Sequence, residues 1–194
     1  MTKTGASGGV YEPGEVDEPK RHCFAVLVAN EPGVLARVVG LFSGRGYNIE
    51  SLTVDEVNAD DHFSRMTIVT RGTRSTIDQI AAQLLRLVPV RQVINLTQQG
   101  RSVETCIALV KVVTDVNKHD QAKDIGRKYA ARVADTTDHA VIFELASDSQ
   151  KIERFAAELS AIGAIEIARA GSVAIGCGDA MLGASPDLAH CHSP

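Results

Sequence analysis

Gly5-Ala6-Ser7-Gly8-Gly9 has the Gly-x-Ser-x-Gly spacing that presents a nucleophilic serine on a tight strand-to-helix turn. No strand-like run precedes it, so the serine lacks the support that chemistry requires. His190-Cys191-His192 offers metal-ligand types, but neighbouring residues at a polar chain end read as a loose tail rather than a defined site. Asp55/Glu56 and Asp60/Asp61 have the composition of paired carboxylates for acid-base work, yet they flank a turn and read as solvated residues. Gly44/Gly46 and Gly176/Gly178 lack the third glycine of a dinucleotide fingerprint, and no Gly-Lys pair exists for a phosphate-binding loop. Cys23 and Cys106 lie inside apolar runs, where a thiol stays protonated and a poor nucleophile. Asn95-Leu96-Thr97 is a sequon by pattern only. The sequence therefore points to no catalytic residue and no metal-ligand set.

Asn30-Glu31-Pro32-Gly33-Val34-Leu35 suits binding better. It joins the apolar run Cys23 to Ala29 to an amphipathic helix. Proline is favoured in a helix's first turn, glycine lets a ligand approach the main chain, and free N–H groups at a helix start attract a carboxylate or phosphate. The same residues also suit a plain strand-to-helix turn. Asn48, after Gly46-Tyr47, is equally at home as a turn residue.

The elements that position these residues fall into two similar series. Strand 22–30 leads to a helix over Val34 to Ser43, ended by Gly44 and Gly46. Strands 48–57 and 63–70 form a hairpin across Asn58-Ala59-Asp60-Asp61. Ile77, Ile80, Ala81, Leu84, Leu85 and Val88 mark a second helix, with Ser75 and Asp78 as a capping box and Pro89 as its stop. Strand 90–97 completes βαββαβ. The order then repeats with strand Val103 to Val113, a weaker helix over 118–130, and strands 131–134 and 140–145 across Thr136-Thr137-Asp138. A helix follows with Ile152, Phe155, Ala156, Leu159 and Ile162 inward, Ser147 and Gln150 as caps and Gly163 at its end. Ile165 to Ile175 closes the series. The expected fold class is α/β, in the α+β sense, with two ferredoxin-like domains whose antiparallel sheets carry helices on one face. The domain expectation is a disordered tail at 1–20, domains at 21–98 and 102–178, and a flexible tail at 179–194. The other sheet face then needs cover, and a second copy of the chain would supply it, so a homodimer or larger assembly is expected.

Composition excludes several partners. With 20 basic against 24 acidic residues, the formal charge of -4 gives nucleic acid no electrostatic hold. Aromatic residues are 4% and Trp is absent, which removes the stacking platform of an RNA-reading sheet. Four dispersed cysteines without a Cys-x-x-Cys pair argue against a disulfide scaffold and against zinc. No apolar run approaches membrane-spanning length and no signal-peptide core opens the chain, so no membrane contact and a cytoplasmic location are expected.

Taken in order, Ala29-Asn30-Glu31-Pro32-Gly33-Val34-Leu35, Gly40-Leu41-Phe42-Ser43, Arg45-Gly46-Tyr47-Asn48-Ile49-Glu50-Ser51-Leu52 and Ser64-Arg65-Met66-Thr67-Ile68 resemble the regulatory small subunit of acetolactate synthase. The first segment alone would indicate only an ACT domain, a common amino-acid-binding module. The resemblance covers about 22–178 and implies an N-terminal ACT domain followed by a C-terminal ferredoxin-like domain. It implies a chain with no active site and no cofactor of its own, which activates a larger catalytic subunit carrying thiamine diphosphate, Mg and FAD. It also implies feedback inhibition in branched-chain amino acid biosynthesis, most commonly by valine. The effector contacts it implies are Asn30, Gly33 and Val34 of one chain with Asn48 and Ile49 of a partner. The alternative is a free-standing ACT-type amino-acid sensor that controls another protein. Two places depart from the family pattern: Thr105-Cys106 stands where Arg-Glu is common, and Cys177 where arginine is usual. Both lie away from the implied effector contacts.

Overall fold

The computed structural model describes residues 17–58 and 62–183. The segments 5–9, 60–61 and 190–192 lie outside them. Two sheets of the same strand order result. In the first half, β1 (Lys20–Ala29), β2 (Ile49–Asn58), β3 (Phe63–Gly72) and β4 (Val90–Asn95) form an antiparallel sheet in the order β2-β3-β1-β4. The helices α1 (Val34–Ser43) and α2 (Arg74–Leu85) pack on one face of it. In the second half, β5 (Ser102–Val113), β6 (Arg132–Thr136), β7 (Ala140–Ser147) and β8 (Ala164–Arg169) repeat the order as β6-β7-β5-β8, with α3 (His119–Tyr129) and α4 (Ser149–Ser160) as its helices. This is the expected pair of ferredoxin-like βαββαβ units.

Burial follows the residue pattern. Phe24, Val26 and Val28 of β1 meet Val34, Val38 and Phe42 of α1 and Ile77, Ile80 and Leu84 of α2, all buried. In the second half, Ala108, Val110 and Val112 meet Phe143, Ile152, Phe155 and Leu159. The alternation of strand residues and the 3.6-residue repeat of the helices together assign these faces.

Three local expectations need correction. The α2 cap is Thr73, whose Oγ1 accepts from the Thr76 N–H at 3.3 Å; Ser75 already lies in the helix. The α4 cap is Asp148, whose carboxylate accepts from the Lys151 N–H at 2.8 Å, so Ser147 and Gln150 are not the pair. In both cases the residue three positions before a free N–H does the capping, and several Ser, Thr and Asp neighbours compete for that place. The third correction is larger. The run from Ile165 to Ile175 is two strands, β8 and β9 (Val173–Gly176), broken at Ala170-Gly171-Ser172. Strand β9 leaves the sheet and pairs with the first four residues of β5, which extend beyond the pairing of β7 and β8.

That ribbon changes what covers the first sheet. Cys23, Ala25 and Val69 point away from α1 and α2 and form a second cluster with Leu96, Ala174 and Leu182. The chain itself covers the middle of this face, where a second copy was expected. The burial argument for an assembly moves to the second sheet, whose outer face leaves Ile107, Leu109 and Val113 nearly half exposed.

Candidate effector site

Strand β1 is anchored at its exit by two backbone bonds: Ala29 N–H donates to Pro89 O at 2.7 Å and Asn30 N–H to His62 O at 2.6 Å. The chain then reverses through Glu31-Pro32-Gly33. Gly33 has φ 84° and ψ -2°, a left-handed backbone that a side chain would strain, and nothing lies within 4 Å of where its Cβ would stand. That conformation aims the first turn of α1 outward. No side chain caps this helix and its first turn holds no acid. Val34 N–H donates to Glu31 O at 3.3 Å, a long turn bond, and Arg37 N–H to Gly33 O at 3.0 Å opens the helical ladder. The N–H groups of Gly33, Leu35 and Ala36 have no backbone partner among the described residues. They form a small donor set at the positive end of α1, open to solvent through exposed Asn30, Glu31, Pro32 and Gly33. A carboxylate suits it. The expected donor pair, Gly33 and Val34, thus lies in place, but Val34 is already engaged and Leu35 and Ala36 are the freer donors. The Val34 side chain is 3% exposed and belongs to the core.

Asn48 and Ile49 lie elsewhere. They follow the other end of α1, which at about 1.5 Å per residue places them roughly 15 Å from the loop along the helix. The Asn48 carbonyl accepts from Thr70 Oγ1 at 2.5 Å, which pins the start of β2 to β3, and its side chain stays exposed. Ile49 is half-buried against the first core. Within one chain, then, Asn30, Gly33 and Val34 come together, whereas Asn48 and Ile49 do not join them.

A polar cluster between the two halves went unforeseen in the sequence. Arg21 forms a two-pronged ion pair with Glu104, one bond at 2.8 Å, across 83 residues of chain. Glu50 joins Arg21 at 3.6 Å and Arg71 at 2.6 Å. The Arg21 hydrogen bond holds the Glu104 carboxyl below the usual carboxylate range, and a bond with Ser172 adds to this against the opposing effect of burial. The Glu104 bond in turn raises the Arg21 guanidinium. Beside it, Thr53 Oγ1 donates to Ser172 O at 2.6 Å and Ser172 N–H to Ser51 Oγ at 2.8 Å. Only the Ala-Gly-Ser break before β9 hints at this contact in the sequence.

Cys23 and Cys106 are buried and structural. Burial pushes the Cys23 thiol up to about 11, and Cys106 is raised for the same reason. Cys106 Sγ donates to Ser147 O at 3.5 Å.

Comparison with known proteins now bears on the loop and the repeated fold together. Residues 24–92 match the family model described as AHAS small subunit-like ACT domain, and residues 106–178 match the one described as small subunit of acetolactate synthase. The acetolactate synthase isozyme 3 small subunit of Escherichia coli K12 is 40% identical over 163 residues, 84% of this chain and 99% of that one. The chain belongs to the acetolactate synthase small subunit family. A probable small subunit from Archaeoglobus fulgidus is 39% identical over 155 residues, covering 80% of this chain and 96% of its own length. The crystal structure of the small subunit from Thermotoga maritima superposes with a TM-score of 0.74 at 32% identity, covering 83% of this chain and 99% of that chain. In the terms of this family the first half is the ACT domain, and the Asn30 to Val34 loop is its β1–α1 turn. Among the described residues no helix is long and apolar enough to cross a membrane.

Proposed function

We propose that this chain is a non-catalytic regulatory subunit that binds the acetolactate synthase catalytic subunit, raises its activity and confers feedback inhibition by valine. The observation that carries the reading is the donor set at the start of α1, held open by Gly33 and exposed beside Asn30. Valine is a zwitterion. Its carboxylate would accept from the N–H groups of the first turn of α1, and its ammonium would donate to the side-chain oxygen of Asn30. The isopropyl group needs an apolar recess, which the loop alone lacks. Asn48 and Ile49 of a second copy would close the site, because within one chain they stand at the far end of α1. Valine would then favour the dimer arrangement that completes the pocket, by the difference in its affinity for the alternatives. Domains at 21–98 and 102–178 divide the labour, with effector binding in the first. In this account thiamine diphosphate, Mg and FAD belong to the catalytic subunit, and the complex works in the cytoplasm.

Mixing the purified chain with its catalytic subunit and following acetolactate formation tests the proposal. Activity should rise with added chain and fall again with valine. Valine binding by the isolated chain without any effect on a catalytic subunit would favour a free-standing amino-acid sensor instead.

A further inference from the structure

The helical layer of the ACT domain differs in charge from the rest of the molecule. The chain as a whole is acidic, at -4. Yet α1, α2 and the residues that follow them carry Arg37, Arg45, Arg74 and Arg86 against one acid, Asp78. In the second half α3 and α4 mix acids with bases and some of these pair, as Arg127 with Asp124, Lys128 with Glu158 and Glu153 with Arg169. Arg37, Arg45 and Arg86 are exposed and form no ion pair among the described residues.

These three arginines rim a single groove of about 400 Å³ between α1 and α2. Its floor is Leu41 and Leu87, both packed into the first core, so it is apolar and firmly backed. Gln83 also lines it. Cationic rim and apolar floor together describe a receptor for an acidic peptide segment. A lone inorganic anion would meet the arginines and leave the floor unserved. A second copy docked face to face through this groove would bring like charges together.

We propose that this groove docks a carboxylate-bearing segment of the catalytic subunit, with acidic side chains on the arginines and an apolar side chain on Leu41 and Leu87. This rests on the regulatory-subunit function argued above and names the surface it would use. The segment grips the helical layer, on the face of the ACT sheet opposite the β9 ribbon.

The test uses the full chain carrying Arg86→Glu, and Arg37→Glu with Arg86→Glu, titrated against the catalytic subunit at rising salt. The half-saturating concentration should rise roughly tenfold for the single variant and further for the double, with maximal activation regained at saturation. Wild-type affinity should fall as salt is raised from about 50 to about 300 mM, and the double variant should respond less. Arg154→Glu, an exposed change on α4, should bind as wild type. Melting of each variant reports folding, and Arg→Gln at the same positions replaces any that fails to fold. A folded double variant with unchanged affinity, or an equal loss from Arg154→Glu, overturns the groove. A wild-type chain that never associates with the catalytic subunit overturns the regulatory function instead.

Discussion

At the scale of single residues, two positions carry the effector account. Asn30 is exposed beside the donor set and makes no hydrogen bond to another described side chain, so replacing it should remove ligand contact and little else. Asn30→Ala is expected to raise the valine concentration for half-inhibition by about tenfold, in line with the loss of one charge-assisted hydrogen bond, while activation stays within about twofold. Dose-response curves on the reconstituted enzyme measure both, and unchanged valine sensitivity would remove Asn30 from the site. Gly33 tests the backbone instead. A Cβ there meets no neighbour, so Gly33→Ala costs conformational strain alone, roughly 1–2 kcal/mol. Thermal unfolding should show a melting temperature lower by a few degrees, about what that strain implies for a chain of this size. The loop was legible in the sequence because Pro and Gly constrain its backbone by their own chemistry. Which N–H groups stay free was not, since that depends on the turn bond from Val34 to Glu31.

At the scale of elements, the helices and the hairpins of both halves were legible because periodicity follows directly from burial on one face. Ile77, Ile80 and Leu84, and likewise Ile152, Phe155 and Leu159, are fully buried where the spacing places them, whereas Leu85 and Val88 of the same expected series are exposed, Val88 beyond the end of α2. The division into β8 and β9 was not, because an apolar run looks the same whether it continues in one sheet or crosses to another. Gly171 decides the crossing. A Cβ there would stand 2.7 Å from Thr53 Oγ1 and 3.0 Å from the Leu52 carbonyl, and the second of these is backbone that cannot swing away. Gly171→Ala should therefore push the Gly171-Ser172 turn off β2, seen as faster hydrogen exchange at Ser172, whose N–H donates to Ser51 Oγ, with protection of β7 retained. Retained protection at Ser172 would show that the contact tolerates the methyl group.

At the scale of the whole molecule, the two halves are joined by groups distant in sequence, which is why the sequence alone did not disclose the joint. Glu104 ionises more readily in the folded chain than when unfolded, so its pair with Arg21 stabilises fully above the unfolded carboxylate value and is lost as pH falls through the lower folded one. Glu104→Gln should lower the melting temperature most near neutral pH, and the gap from wild type should close as the pH falls below the ordinary carboxylate range. A gap that stays constant over that range would mean the charge of Glu104 is not what matters. The other large-scale feature is the separation of Asn30 from Asn48 by the length of α1, which leaves each chain with half of the proposed pocket. The most direct measurement is acetolactate formation by the catalytic subunit with increasing amounts of this chain, each titrated with valine, leucine and isoleucine. Activity should rise to saturation with added chain and be suppressed most strongly by valine; a catalytic subunit indifferent both to the chain and to all three amino acids would contradict the account.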